Sequence, residues 1–292
     1  MRPFLSASIA TVLLATSMPF VHGYDRIIAF ADSFTDNGND YRHSMNPPSP
    51  PYWKGRFSNG PTWLEQVADE LDHVKVINHG HGGATTDNAH AYSEFNGYVV
   101  PGLKQQIQQY GVDNPNPDKD LYIIYIGYND LNAIINPDQY HVVKPFDQDD
   151  VANSVVEGIR TLMETYQAKT FTVMTCPPFD QWPVIKHEDK ERTKALINDY
   201  NHRLGNKLKT IEGADIHVLD DHAWFEDALA HPERFGLETD NGACIPSINE
   251  KVPVCDDPEK HFFWDYYHPE AKVHKALGEW ATSKLKDRYH LD

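Results

Sequence analysis

This 292-residue chain contains neither a long hydrophobic run nor an excess of basic residues. Apart from a short apolar stretch near the N-terminus, no segment approaches the ~20 consecutive apolar residues that a transmembrane helix requires, so we predict no membrane span. The chain has 26 lysine and arginine residues against 43 aspartate and glutamate residues, which gives a formal net charge of −17. Because contacts with phosphate require clustered basic side chains, we expect no nucleic-acid partner.

Metal-binding motifs are also lacking, although the chain contains 16 histidines. Catalytic zinc requires three protein ligands at characteristic spacings, and no His-Glu-x-x-His or comparable cluster occurs. His79 and His81 lie beside a glycine-rich turn and are interpreted as loop residues that line a site, not as metal ligands. We therefore predict neither a metal nor another cofactor.

The N-terminus is typical of a secretory signal peptide. Met1-Arg2 is a short basic start, and an apolar core runs from Ile9 to Ala15. Val21 and Gly23 are small residues at the two positions that signal peptidase reads. We predict a signal peptide over residues 1–23, with cleavage after Ala15 as the less favoured alternative, and expect a secreted protein.

Only three cysteines are present, and secretion would place them in an oxidising compartment. Cys244 and Cys255 flank a short loop, so we predict a disulfide between them. Cys176 ends a predicted buried strand and is expected to be an inert, packed thiol.

Short apolar runs alternate with amphipathic segments along the rest of the chain. Strands are predicted over residues 26–31, 74–78, 121–126, 170–175 and 215–219. Helices are predicted over residues 61–71, 101–110, 150–166, 188–208, 224–229 and 269–286. This alternation indicates a single α/β domain over residues 24–292, in which a mostly parallel sheet is covered by helices in a three-layer α/β/α sandwich.

Four segments carry residues suited to one reaction. Ser33 follows the first strand, Gly82-Gly83 follow the second, Asn129 follows the third, and Asp265 and His268 lie near the C-terminus. Because parallel strands end at the same edge of a sheet, we expect the first three segments to converge. His268 is predicted to accept the proton of the nucleophile Ser33, and Asp265 to orient His268.

An ester-cleaving serine also needs donors for the oxyanion that forms in the transition state. The predicted donors are the backbone N–H groups of Ser33 and Gly83 and the side-chain amide of Asn129. Asp36 and Asp130 lie next to these segments and are interpreted as loop-positioning residues that accept hydrogen bonds.

These four segments resemble the sequence blocks of the GDSL or SGNH hydrolases, whose marker residues are serine, glycine, asparagine and histidine. The matching segments are Phe30-Ala31-Asp32-Ser33 with Asn37-Gly38-Asn39, Asn78 to Thr85, Gly127-Tyr128-Asn129-Asp130, and Asp265-x-x-His268. The resemblance implies a flavodoxin-like SGNH hydrolase fold and the catalytic assignments Ser33, Gly83, Asn129, Asp265 and His268. The departure is Ala31, where the family usually has glycine, and this small residue is expected to leave activity intact.

Several side chains beside these segments are candidate substrate contacts: Asp32, Tyr52, Trp53, Tyr128 and Tyr267. The aromatic members could form a platform for an acyl group or a sugar, or could equally belong to the core.

The predicted function is a secreted, monomeric serine carboxylic-ester hydrolase that uses no cofactor. Short-chain or carbohydrate acyl esters are the favoured substrates, since the chain is acidic and has no long apolar lid segment. Members of the resembling family include fungal acetylesterases and haemolysin- or phospholipase-like proteins. One alternative is therefore a lipase, phospholipase or acyltransferase that acts on lipid esters. A non-catalytic secreted carbohydrate-binding protein is the alternative from a different class.

Overall fold

A five-stranded parallel sheet forms the centre of this computed structural model, which describes residues 23–71, 74–111, 115–238, 242–246 and 252–291. Within those residues the sheet order is β2-β1-β3-β4-β5. The strands are β1 (Arg26–Ala31), β2 (Lys75–Asn78), β3 (Asp120–Tyr125), β4 (Thr170–Met174) and β5 (Asp215–Leu219). Two further pairs of two-residue strands are antiparallel: Ala91–Tyr92 with His141–Val142, and Glu94–Phe95 with Tyr98–Val99.

Helices cover both faces of the sheet and confirm the predicted α/β/α architecture. They are α1 (Asn39–Ser44), α2 (Trp63–Glu70), α3 (Leu103–Tyr110), α4 (Tyr128–Ile135), α5 (Gln148–Tyr166), α6 (Lys190–Leu208), α7 (Asp221–Ala230) and α8 (Ala271–Tyr289). Helix α2 packs against α8, whereas α5 packs against α3, α4 and α6. None of the helices within the described residues is long and apolar enough to cross a membrane.

Burial along the strands follows their position in the sheet. Every residue of β3 is buried, and so is every residue of β1 except Arg26, because helices cover both faces of these central strands. The edge strands β2 and β5 are only partly buried. The continuous apolar runs Ile27 to Ala31 and Leu121 to Tyr125 therefore identify the centre of the fold.

The helix ends differ from the predicted ones where side chains cap them. Helix α2 begins after Thr62, not at Pro61, because Thr62 and Glu65 form a capping box. Helix α8 begins after Glu270, whose carboxylate accepts the N–H of Lys272 at 2.6 Å. Helices α1 and α4 are absent from the prediction; both are short and begin directly after a glycine with positive φ.

Cys244 and Cys255 form a disulfide, and Cys176 is buried with a free thiol. The N–H of Cys244 donates to the carbonyl of Phe263 at 3.0 Å, and that of Ile245 donates to the carbonyl of Trp264 at 2.8 Å. These backbone bonds place Cys244, and with it the disulfide, beside the segment immediately before Asp265. The predicted signal peptide lies outside the described residues, apart from Gly23.

Reduction of the disulfide is expected to lower the melting temperature by an amount equivalent to about 2–4 kcal/mol, because the cross-link restricts the unfolded chain. Thermal unfolding with and without reductant measures this difference. Alkylation of the denatured, unreduced protein should label Cys176 alone, which mass spectrometry can verify. Labelling of Cys244 and Cys255 in the same sample would contradict the bridge.

Candidate active site

The site lies at the carboxyl edge of the sheet, where three strand ends meet. Strand β1 is hydrogen-bonded to β2 on one side and to β3 on the other, and all three are parallel. Ser33, Gly83 and Asn129 follow β1, β2 and β3, respectively. The strand order changes direction at β1, and such switch points leave a crevice that binds ligands in open α/β sheets.

Ser33, His268 and Asp265 form a continuous chain of hydrogen bonds. His268 Nε2 lies 2.8 Å from Ser33 Oγ, and His268 Nδ1 lies 2.9 and 2.8 Å from the two carboxylate oxygens of Asp265. All three side chains are buried. With Nδ1 donating to the carboxylate, Nε2 is left as an acceptor for the Ser33 hydroxyl proton.

Ser33, Gly83 and Asn129 line one cavity, and each carries a hydrogen-bond donor. The backbone N–H groups of Ser33 and Gly83 have no hydrogen-bond acceptor within the described part of the chain. The Asn129 amide donates to the carbonyl of Ala84 at 2.9 Å and accepts from the Tyr140 hydroxyl at 3.0 Å. These two contacts fix the amide and leave its second N–H available to a ligand.

Gly83 is required by the backbone conformation of its loop. Its φ is +74°, which disfavours side chains, and a Cβ would lie 2.8 Å from the Ser93 hydroxyl oxygen. That hydroxyl donates to the Gly83 carbonyl at 2.9 Å, so Ser93 holds the peptide from one side.

Buried carboxylates connect the loops that carry these donors. The Asp36 side chain accepts the N–H groups of Gly38, Asn39 and Asp40 in its own loop and the N–H of Gly82 in the next. Asp130 similarly accepts the N–H and the hydroxyl of Thr86. Both residues therefore position loops, as predicted.

The sequence matches the GDSL-like lipase/acylhydrolase family over residues 27–281. The chain belongs to this family. It is an ester-hydrolysing enzyme and not a non-catalytic binding protein. Ala31, the one departure from the family pattern, is buried at the end of β1, where its N–H and carbonyl both bond to the Gln106 amide.

Relatives of known identity come from several groups of proteins. A phosphatidylcholine-sterol acyltransferase from Aeromonas hydrophila is 26% identical over 96% of this chain and 95% of that protein. A thermolabile hemolysin from Vibrio parahaemolyticus is also 26% identical, over 87% of this chain but only 62% of that protein. The solved structure of an acetyl xylan esterase superposes with a TM-score of 0.52 at 13% identity and covers 89% of this chain and 99% of that one. This last likeness shows the shared fold.

A cavity of about 350 Å³ opens beside Ser33 and His268 in this family member. Its other lining residues are mostly aromatic or amide side chains: Phe57, Gly83, Ser93, Phe95, Tyr128, Asn129, Gln139, Tyr140 and Tyr267. Tyr128 and Tyr267 were identified from the sequence. Phe57, Gln139 and Tyr140 were missed; Gln139 and Tyr140 follow α4, a helix that the sequence pattern did not reveal.

Three predicted substrate contacts do not line this cavity. Asp32 is buried and accepts the N–H of Phe34, and burial raises its pKa to about 7. Tyr52 is buried below the site, where its hydroxyl bonds to Asp265. The Trp53 ring instead contacts cations of neighbouring residues, Lys54 and Arg56.

The predicted interpretation of His79 and His81 needs a correction, because neither lines the cavity. The His79 ring stacks on Phe30 with centroids 5.2 Å apart, and burial lowers its pKa. Within the described residues, one group of possible metal ligands occurs, formed by Cys244, Cys255 and His261. The two cysteines are joined in a disulfide, so they offer no thiolate to a metal.

Asp40 is a buried carboxyl group whose two oxygens have no hydrogen-bond partner among the described residues. Burial and the neighbouring Asp36 carboxylate raise the pKa of Asp40. The four backbone donors around Asp36 favour the ionised form of that residue, so Asp40 is the member of the pair that retains a proton.

As the pH rises, we expect the free energy of unfolding of Asp40→Asn to increase relative to that of wild type. The pKa of Asp40 is raised on folding, so its contribution to stability is present below its unfolded pKa of about 4 and is lost as pH rises through the folded value. Urea unfolding at pH 5 and pH 8 should show the difference between variant and wild type change by up to roughly 1.4 kcal/mol per pH unit. The exposed Asp69→Asn is the control. If the free energies of unfolding of Asp40→Asn and wild type change with pH in parallel, Asp40 does not retain a proton in the folded protein.

Proposed function

We propose that the protein is a secreted serine carboxylic-ester hydrolase in which Ser33 is the nucleophile, His268 the general base and Asp265 its orienting partner. The hydrogen-bonded chain from Ser33 through His268 to Asp265, with Ser33 and His268 lining the cavity, is the observation that carries this proposal. An oxyanion hole formed by Ser33, Gly83 and Asn129 complements it.

In this mechanism Ser33 Oγ attacks the acyl carbon of the ester while its proton moves to His268 Nε2. The negative charge that develops on the carbonyl oxygen is stabilised by the N–H groups of Ser33, Gly83 and Asn129. Collapse of the tetrahedral intermediate breaks the ester C–O bond, and the proton on His268 passes to the leaving alcohol. His268 then takes a proton from water, which attacks the acyl-enzyme. Collapse releases the acid and returns the proton to Ser33.

Short-chain or carbohydrate acyl esters are the proposed substrates. A cavity of about 350 Å³ is at the small end of the range for ligand sites. Ser93, Gln139 and Tyr140 place hydroxyl and amide groups on its wall, which suits a polar alcohol moiety.

The second candidate is hydrolysis or transfer of acyl groups on lipid esters. Its support is the similarity to the phosphatidylcholine-sterol acyltransferase from Aeromonas hydrophila, which extends over nearly the full length of both chains. Exposed Val99 lies on the strand pair that carries the cavity residue Phe95, and exposed Val142 lies two residues after the cavity residue Tyr140. Apolar groups there would suit a lipid substrate.

We also infer that residues 1–23 direct secretion and that residues 24–292 form one domain, active as a monomer. One large hydrophobic cluster includes both Tyr24 and Leu291, which supports the one-domain assignment. The disulfide is consistent with an extracellular location.

Hydrolysis of p-nitrophenyl esters from acetate to palmitate tests the proposal, with Ser33→Ala as the matched control. We expect activity to fall steeply beyond butyrate and Ser33→Ala to abolish turnover while its melting temperature stays near that of wild type. A maximum at long acyl chains would favour lipid esters instead. Turnover that survives in Ser33→Ala would disprove the mechanism.

Asn129→Ala is expected to lower kcat by about 10²–10³-fold, because removal of one oxyanion donor has that effect in serine hydrolases. The change in KM should be small, since the donor acts mainly on the transition state. Asn153→Ala, an exposed position on α5, is the control. Steady-state kinetics on the best ester of the series provides both constants. An unchanged kcat would show that Asn129 is not an oxyanion donor.

A further inference from the structure

The catalytic segment near the C-terminus is connected to a loop at the other end of the chain by one buried hydrogen bond. The Tyr52 hydroxyl donates to Asp265 Oδ2 at 2.6 Å, across a sequence separation of 213 residues. Tyr52 is 2% exposed and Asp265 is fully buried. The sequence suggested Tyr52 as a substrate contact, but its hydroxyl instead bonds to Asp265, the proposed orienting partner of His268.

The remaining contacts of Asp265 show what this bond adds. Asp265 Oδ1 accepts the backbone N–H groups of Tyr267 and His268, at 2.7 and 2.9 Å. Both carboxylate oxygens lie within hydrogen-bonding distance of His268 Nδ1. Within the described residues, Tyr52 is the one side chain besides His268 that donates to this carboxylate. Its hydroxyl therefore sets the rotation of the carboxylate at the oxygen that the backbone does not hold.

Tyr52 is itself held in place away from the substrate cavity. Its ring meets Trp264 edge to face, with centroids 6.2 Å apart, and packs in a cluster with Cys244 and Ile245. The Ser49 hydroxyl donates to the Tyr52 carbonyl at 2.7 Å. Tyr52 does not line the cavity, so any effect on the reaction passes through Asp265.

We propose that Tyr52 is a positioning residue for ester hydrolysis, which orients the Asp265 carboxylate toward His268 and moderates the negative charge that His268 senses. This inference rests on the proposed triad of Ser33, His268 and Asp265. It assigns Tyr52 a role in tuning the base, in place of the substrate contact that the sequence suggested.

The hydroxyl can act only as a donor in this position. Burial and the Asp265 charge raise the pKa of Tyr52, so the phenol keeps its proton. A hydrogen bond to an ionised carboxylate disperses its charge and so reduces the stabilisation that the carboxylate offers to an adjacent imidazolium. Loss of the hydroxyl should therefore favour protonated His268, the form that cannot accept the Ser33 proton.

Other titratable groups near this pair have separate roles. The Tyr267 ring centroid lies 6.1 Å from that of His268, and the Tyr267 hydroxyl donates to Gln139 at 3.2 Å. His274 is buried, and burial lowers its pKa to about 3, so it is neutral over the working range. Neither side chain donates to Asp265.

The test compares Tyr52→Phe with Tyr289→Phe on the best p-nitrophenyl ester. Tyr289 is also buried and loses a comparable contact, because its hydroxyl lies 3.1 Å from the Phe171 carbonyl on β4. We expect Tyr52→Phe to lower kcat about tenfold with little change in KM, as for loss of a hydrogen bond to a charged group. The acidic limb of its kcat/KM profile should move to higher pH, whereas Tyr289→Phe should keep the wild-type profile. Wild-type kcat and an unmoved limb in Tyr52→Phe would overturn the proposal.

A second replacement keeps the hydroxyl and the ring, so it does not depend on the folding of Tyr52→Phe. Incorporation of 3,5-difluorotyrosine at position 52 makes the phenol a stronger donor and should move the acidic limb in the opposite direction, to lower pH. A shift in the same direction as Tyr52→Phe, or no shift, would count against tuning through the hydrogen bond.

A double-variant cycle separates this proposal from the proposed function. In an Asp265→Asn background, Tyr52→Phe should cause no further loss of kcat, because the carboxylate through which it acts is gone. Additive losses would show that Tyr52 acts elsewhere, while the triad would stand. Activity that persists in Ser33→Ala would instead overturn the triad and, with it, the role of Tyr52.

Discussion

The pairing of β1 with both β2 and β3 is the constraint on which the rest of this structure depends. The register aligns Arg26 with Lys75 on one neighbour and with Asp120 on the other, and the Arg26 guanidinium donates to the Asp120 carboxylate at 2.6 Å. Because all three strands are parallel, the loops after them leave the sheet at the same edge. Ser33, Gly83 and Asn129 are neighbours for that reason, although Ser33 and Asn129 are 96 positions apart in the sequence.

Holding three polar loops together at a buried edge requires that their backbone N–H groups find acceptors. Carboxylates serve this purpose here, since one carboxylate accepts several N–H groups at once. Asp36 joins the loops after β1 and β2, and Asp130 joins the loops after β2 and β3. Burial raises the pKa of all three carboxyl groups, and most for Asp40, whose oxygens have no hydrogen-bond partner among the described residues. Within the described residues the backbone N–H groups of Ser33 and Gly83 have no acceptor, which supports the proposal that a substrate oxygen binds there.

His268 is positioned differently, because none of the five strands in the described sheet directly precedes it. His268 lies just before α8, and its segment is held by contacts from distant parts of the chain. The Ser58 hydroxyl donates to the Pro269 carbonyl at 2.9 Å, and the Trp182 indole donates to the Tyr267 carbonyl at 2.9 Å. The disulfide loop adds backbone bonds to Phe263 and Trp264. The position of His268, the proposed base, therefore depends on several long-range contacts, among which the Tyr52 hydroxyl bonds directly to its proposed partner Asp265.

The sequence by itself determined the features that depend on local pattern: the five core strands, most of the helices, the disulfide pair and the convergence of the polar strand ends. Apolar runs report burial directly, and parallel strands share an edge, so these inferences need no knowledge of long-range contacts. Only the tertiary structure decided which aromatic side chains face the cavity and which lie behind it. Tyr52 and Phe57 are five residues apart on one irregular segment, yet one supports Asp265 and the other lines the cavity. An irregular loop has no period from which a facing direction can be read, because its path is set by distant partners such as Asp265 and Trp264.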